Sequence, residues 1–326
     1  YKLVCRIVTP SGNSASISQD FAFDNEAPEL RVSPKSGTAF RRTHEFTVKA
    51  TDESGIVSAY GKFVAPNGDD IEGQNEFEIP VTGGAVNHTV VLSDAANGAY
   101  SPKVRVTDYN GYTTEKVSSC VYLVTEAAKL TEEIVTDKEY GSLPITSGEY
   151  TIKLTAEMPF ANAESLKEAP NMYYRTADST GAYTSWILNN ECTIKNNTIK
   201  AECSYNSGLS FGEGLNEIKI QSVLVTKGVS PDAADENYYT TASAQYYCDK
   251  TSPQHRLVYN RIHTNDEIKG KLYLSDNFDT ELTAFAGDPN VVLTRSETEA
   301  NVFDVSIKEN TDSIITAADW AGNSVE

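Results

Sequence analysis

Apolar and polar residues alternate with a period of two along Phe46–Glu53 (FTVKATDE) and again along Tyr150–Glu157 (YTIKLTAE), and the two segments match without a gap. That period sends successive side chains to opposite faces, so each segment reads as a strand with one face buried and one wet. Leu272–Asp276 (LYLSD) matches Val48–Asp52. In Pro102–Val106, Val104 and Val106 turn inward while Lys103 and Arg105 turn outward; the same register turns Cys5 and Ile7 inward and Arg6 outward. Helical signals are scarce. Ala161–Ala169 (ANAESLKEA) supports one helical turn or two, and Glu126–Val135 supports another.

A longer pattern recurs around these strands. Tyr1–Leu30 lies on Tyr100–Lys129 without a gap: Tyr1 meets Tyr100, Arg6 meets Arg105, Gly12 meets Gly111, and Phe21 and Phe23 meet Cys120 and Tyr122. Ile315–Asn323 (ITAADWAGN) repeats the first half of it. Two joints share a shape, Asp24-Asn25-Glu26-Ala27-Pro28 and Asp249-Lys250-Thr251-Ser252-Pro253. An acidic residue opens each and a proline closes it. A proline cannot donate to a central ladder, which suits the first residue of an edge strand in a new sheet. The joint near Val124–Lys129 lacks the proline. The chain therefore parses into four units: 1–23, the last strands of a truncated module; 24–125, a complete module; 126–249, a longer one; and 250–326, a module lacking its last strand. Short strands, with turn signals every ten or so residues, predict an all-β protein of tandem β-sandwiches with Greek-key connections. On this parse the chain reads as a stretch of something longer, so the lack of a leader before Tyr1 carries no weight.

Charge narrows the function. The 46 acidic residues against 27 Lys and Arg give a net charge of −19, which repels phosphate backbones and argues against nucleic-acid binding. Mean hydropathy is −0.40, and no run approaches the length of a membrane span. Five cysteines are present. Cys192 and Cys203 bracket a hairpin with Asn196-Asn197 near its tip; a turn over Asn196–Ile199 would pair Lys195 with Lys200 and set Cys192 opposite Cys203. A cross-strand disulfide between them, and with it an oxidising compartment, is the expectation, whereas the state of Cys5, Cys120 and Cys248 is open. Asn87-His88-Thr89 and Asn196-Asn197-Thr198 fit the N-glycosylation pattern, which matters only in a glycosylating host.

No catalytic constellation stands out, and no enzyme is expected. His44, His88, His255 and His263 lack metal-ligand spacing and read as solvated; Gly83-Gly84 is followed by neither a lysine nor a helix. Most carboxylates fall in turns and on outward strand positions. Calcium is the one ligand the spacing raises. Asp24 lies in a joint, Asp52 follows a strand and Asp108 precedes a turn; the repeat matches them to Asp249, Asp276 and Asp319. Loops gathered at one end of a sandwich can offer the several oxygen ligands that Ca²⁺ prefers. The bland alternative is that these aspartates only cap turns. The 126–249 unit breaks the set, with Ala156 at the Asp52 position. Aromatic residues are the other candidates. Tyr173, Tyr174, Tyr183, Tyr238 and Tyr239 offer surfaces to a sugar ring or a protein partner, although cross-strand packing on the sheet surface is the stronger account of such residues. In each adjacent tyrosine pair, one ring should face the core and one should face out.

Tyr100–Gly111 (Tyr-x-x-x-Val-x-Val-Thr-Asp-x-x-Gly), Ala318–Asn323 (Ala-Asp-Trp-Ala-Gly-Asn) and Asp24–Pro28 resemble bacterial immunoglobulin-like repeats. Thr9-Pro10-Ser11, where such repeats often carry an aspartate, departs from the pattern. The resemblance implies immunoglobulin-like sandwiches, an extracellular or cell-surface location and a structural role in a rod, filament or surface layer, with self-association. Two alternatives accompany it: an adhesin that binds a host glycan or protein, such as an immunoglobulin, through 126–249, and a spacer in a secreted glycan-degrading enzyme.

Overall fold

The structure, a computed structural model, describes all residues except 36, 149–150, 178–179, 190–191, 207–211, 261–266, 279–280 and 309–311. It is almost entirely β, and every sheet draws its strands from a single unit of the parse. Among the described residues, no helix is long and apolar enough to cross a membrane.

Residues 24–125 form a two-sheet sandwich. Glu29–Pro34, His44–Thr51 and Val86–Leu92 make one antiparallel sheet. Ile56–Val64, Phe77–Glu78, Gly98–Asp108, Thr113–Val117 and Val121–Leu123 make the other. Pro28 stands just ahead of the edge strand Glu29–Pro34, where a missing donor breaks no ladder. The alternation in FTVKATDE holds: Phe46, Val48 and Ala50 are buried and meet Ile56, Phe63, Val104 and Val106 from the facing sheet. Arg105 points outward as expected. His44 differs from the solvated reading, because its position in the same alternation turns it inward. It is 1% exposed, its Nε2 lies 2.9 Å from the Tyr122 carbonyl, and burial lowers its pKa.

Residues 126–249 build a larger sandwich. One sheet holds Lys129–Val135, Thr151–Pro159, Thr198–Asn206 and Cys192–Lys195. The other has six strands, among them Asn171–Thr176, Gly214–Val225 and Thr240–Cys248. The helical expectation for Glu126–Val135 is corrected: Lys129–Val135 is a strand, since Leu130 and Ile134 alternate into the core. Ala161–Ala169 yields a single 3-10 turn, Ala163–Ser165.

The hairpin register is also corrected. Asn196 and Asn197 both take positive φ (51° and 54°) and close the turn with two residues. Lys195 therefore pairs with Thr198, and Cys192 with Ala201, while Cys203 lies across from Leu154. The two cysteines sit one diagonal step apart, beyond normal disulfide reach. Among the described residues, which include all five cysteines, no disulfide is formed.

The first unit is a lone hairpin, Lys2–Val8 with Ser14–Asp20. Every residue of both strands is exposed, so Cys5 and Ile7 do not face a core. An inward face needs a second sheet, and among the described residues this hairpin pairs only with itself. Residues 250–326 pair Gln254–Tyr259, Ile268–Ser275, Val302–Ile307 and Val291–Arg295 in one sheet, against a smaller one, around Leu272, Leu282, Phe303 and Val305.

The 24–125 and 126–249 sandwiches share a core. Phe40, Tyr122 and Phe160 stack with centroids 5.7–6.4 Å apart, and Ala99 and Val124 join the larger cluster. Ala99 N donates to Ala161 O at 2.9 Å, and a Cβ on Gly98 would fall 2.9 Å from that of Ala161. The Asn97 amide oxygen accepts from the Thr125 and Glu126 amides, and its nitrogen donates to Glu126 O.

Two predictions follow from these placements. Strand alternation drags Glu132 inward between Leu130 and Ile134, and both its oxygens are buried without partners. Burial, then the charge of Glu217, raises its pKa to about 7. Because the folded pKa lies above the unfolded one, its contribution is fully present below about pH 4.5 and is lost as pH rises through 7. Glu132→Gln should raise the melting temperature at pH 8, by about 3 °C, and change it little at pH 4.5. A thiol titration of unfolded, unreduced protein should return five thiols; three would show that Cys192 and Cys203 are joined.

Candidate metal centres at two module joints

The repeat places three aspartates in equivalent positions twice. Asp24 lies in the joint before Pro28, Asp52 follows the strand His44–Thr51, and Asp108 ends Gly98–Asp108. These loops meet at one end of the sandwich, where Tyr109 N donates to Gly55 O. One carboxylate oxygen from each aspartate lies within 4.8 Å of the other two. Asp249, Asp276 and Asp319 form the same kind of triad, again within 4.8 Å. The sequence-predicted set is thus brought together in full, in two groups.

Turn capping and convergence coexist in these residues, because one oxygen can serve each. Asp108 Oδ1 accepts from the amides of Asn110 (2.8 Å) and Tyr112 (2.9 Å), across a turn that Gly111 closes at φ 90°. Asp319 Oδ1 accepts from Gly322 and Asn323 in the same way. Asp24 Oδ1 accepts from Glu26 N, Asp52 Oδ1 from Ser54 N, and Asp249 Oδ1 from Thr251 N. Other oxygens are left over. Asp108 is 1% exposed and its Oδ2 is buried with no partner; Asp249 is 0% exposed and its Oδ2 is likewise buried and unpartnered. Both oxygens of Asp276 are buried without partners too. Burial of a carboxylate oxygen with nothing to bond is unfavourable unless a proton or cation neutralises it.

Electrostatics follow the burial. The Glu26 amide, then Ser54, holds the more open Asp24 below the usual carboxylate range. Burial, assisted by the charges of Asp276 and Asp319, raises Asp249 to about 7 despite the Thr251 amide. Burial also raises Asp276. The donors are all oxygens and three are carboxylates, which suits a hard cation such as Ca²⁺ and not zinc.

The unit that breaks the set also breaks the site. Ala156 stands at the Asp52 position, is 1% exposed and belongs to the shared core, so the joint before this unit is apolar. One residue at the second triad carries no sequence signal. Glu213, just before the strand Gly214–Val225, reaches it from the preceding module. Glu213 Oε2 accepts from Lys250 N at 2.8 Å, and Oε1 accepts from Thr251 Oγ1 and Asn277 Nδ2. Its carboxylate also abuts that of Asp249. No repeat marks it, and only the fold shows it.

The tyrosines divide. Tyr174 and Tyr238 are buried, while Tyr173 and Tyr239 are half-buried, so each pair turns one ring inward. Tyr183, Tyr239 and Trp186 surround the Arg175 guanidinium, whose carbon lies 4.2 Å from the Trp186 ring centroid. Polar atoms in this group are engaged within the chain: Trp186 Nε1 donates to Asp232, Tyr239 Oη to Pro231 O, and Arg175 to Gln221. His88 and His255 are exposed, and His263 lies outside the described residues.

No family model matches the chain, and no curated protein matches it. Solved structures do. A structure concerning host cell surface retention of a 1.5-MDa bacterial ice-binding adhesin is 12% identical with a TM-score of 0.35, covering 91% of this chain and 94% of that one. A tetra-tandem repeat from the extending region of a large adhesion protein is 12% identical with a TM-score of 0.34, covering 99% and 79%. Fibronectin(III)-like modules of Clostridium thermocellum CbhA are 16% identical with a TM-score of 0.24, covering 67% and 94%.

The raised Asp249 gives a sign-specific expectation. Its folded pKa exceeds the unfolded one, so in chelator its contribution is full below about pH 4 and is lost as pH rises through 7. The melting temperature in EDTA should fall between pH 5 and 8. Asp249→Asn should flatten that fall, as followed by circular dichroism.

Proposed function

We propose that this chain is a structural segment of an extracellular surface protein, in which calcium at two joints sets the angle between neighbouring sandwiches. The observation that carries this reading is the recurrence of one carboxylate triad at two joints, each with a buried, unpartnered oxygen. In each triad the first aspartate belongs to the joint and the other two to the module that follows. A cation held by all three ties the linker down onto its module. Binding to the folded state alone also adds stability by mass action.

The role is mechanical, not catalytic. Each sandwich is held together by its own sheets, and the chain needs stiffness only where one sandwich meets the next. The middle joint has it already from Phe40, Tyr122 and Phe160. Self-association or contact with a host surface would use such a rod as its support. The adhesin alternative gains less support, because the aromatic group in 126–249 closes around its own Arg175.

Small-angle scattering with calcium and with EDTA tests the reading. With calcium, one extended shape should fit. In EDTA the distance distribution should broaden and the melting temperature should drop, while the 24–249 pair still scatters as one body. Identical curves and an identical melting temperature in the two buffers would sink the cation role.

A further inference from the structure

The two triads are alike in sequence but not in surroundings. Among the described residues, the triad at Asp24, Asp52 and Asp108 leaves one buried carboxylate oxygen without a partner, Asp108 Oδ2. The other triad leaves three: Asp249 Oδ2 and both oxygens of Asp276. Asp24 is half-buried, whereas its counterpart Asp249 is fully buried. Glu213 stands beside the second triad, outside its group of three converging oxygens, with its carboxylate next to that of Asp249. Two carboxylates side by side repel unless a proton or a cation sits between them. Glu213 is nonetheless held in place from three directions: by the Lys250 amide, the Thr251 hydroxyl and the Asn277 side chain. Each of its oxygens retains acceptor capacity beyond those bonds.

We infer that the two sites fill in order: the Asp249, Asp276 and Asp319 site takes Glu213 as a fourth carboxylate and binds calcium first. This rests on the cation reading above and extends it to affinity and sequence of occupation. Affinity for Ca²⁺ rises with the number of charged ligands and with the rigidity of the site. The second site has more of both, and its cation-free state holds more unsatisfied buried charge for the ion to relieve. Glu213 has a mechanical consequence as well. It belongs to the 126–249 module, Asp249 to the joint, and Asp276 and Asp319 to the next module. A cation there ties three parts of the chain together, whereas the triad of Asp24, Asp52 and Asp108 ties only a joint to the module after it. As calcium rises, the joint at Asp249 stiffens before the joint at Asp24.

Isothermal titration of the whole chain, stripped of metal, with calcium chloride at pH 7.5 tests the order. Two binding phases are expected, with dissociation constants at least about tenfold apart. Asp276→Asn should remove the tighter phase and Asp52→Asn the weaker one. Glu213→Gln, which keeps shape and hydrogen-bonding reach, should weaken the tighter phase about tenfold and leave the weaker one unchanged. Near-ultraviolet circular dichroism checks that each variant is folded, and Glu213→Asp, which shortens the reach, should show the same selective weakening if Glu213→Gln is not. Two phases of equal affinity would overturn the inference. So would loss of the weaker phase in Asp276→Asn, or a tighter phase indifferent to Glu213. No calcium binding at all would instead overturn the cation reading itself, a different result.

Discussion

Like charges gathered at the ends of modules are the constraint on which the array depends. Three carboxylate oxygens within 4.8 Å of one another repel unless a proton or a cation lies among them. The fold holds them there regardless, because five of the six, all but Asp276, also cap a turn that their loops need. Asp108 cannot move away without releasing the Asn110 and Tyr112 amides, nor Asp319 without releasing Gly322 and Asn323. Turn chemistry thus fixes the geometry, and the unused oxygens inherit the electrostatic problem. The hard divalent cation proposed for these sites would resolve it.

The middle joint shows the other way to fix an angle between sandwiches. It replaces charge with contact: aromatic rings at 5.7–6.4 Å, a glycine at Gly98 that admits close backbone approach, and Asn97 bridging the linker amides. Ala156 in place of an aspartate belongs to the same choice, because a buried carboxylate there would sit in an apolar core. Contact of this kind needs no cation and is only weakly sensitive to salt. On the proposed reading, the carboxylate joints would respond to both. Charge neutralisation and apolar burial therefore act at different places along one chain, and each module belongs to the regime of its own joints.

Much of this was legible in the sequence, for definite reasons. Strand alternation is local, so FTVKATDE and its match disclosed their faces directly. The six aspartates were legible because gapless repeats preserve loop position, and loop position in a sandwich decides which end a side chain reaches. What escaped was non-local or depended on a small count. A two-residue turn in place of four shifts every pair in the Cys192–Cys203 hairpin by two positions, and Asn-Asn is compatible with either length. Glu126–Val135 has strand and helix spacing at once, and its place beside Thr151–Pro159 decided the matter. His44 was one more inward position of a strand already recognised. Glu213 had no repeat partner to betray it: it reaches its site across a joint, a contact with no trace in local sequence.

An array whose joints differ does not bend uniformly. The middle joint is closed by packing, so on the proposed reading any cation-dependent change in stiffness falls at the two ends of the 24–249 pair. The carboxylate joints stand at those ends, so the proposed cation would act where rotation has the longest lever arm. On that reading, neutralising one triad would remove freedom from a whole arm of the chain, whereas the same binding energy in the middle would change nothing already fixed. On the proposed reading, stiffness of the array would be set by a few oxygens at two points, with the mass of each sandwich as the scaffold that keeps those oxygens from separating.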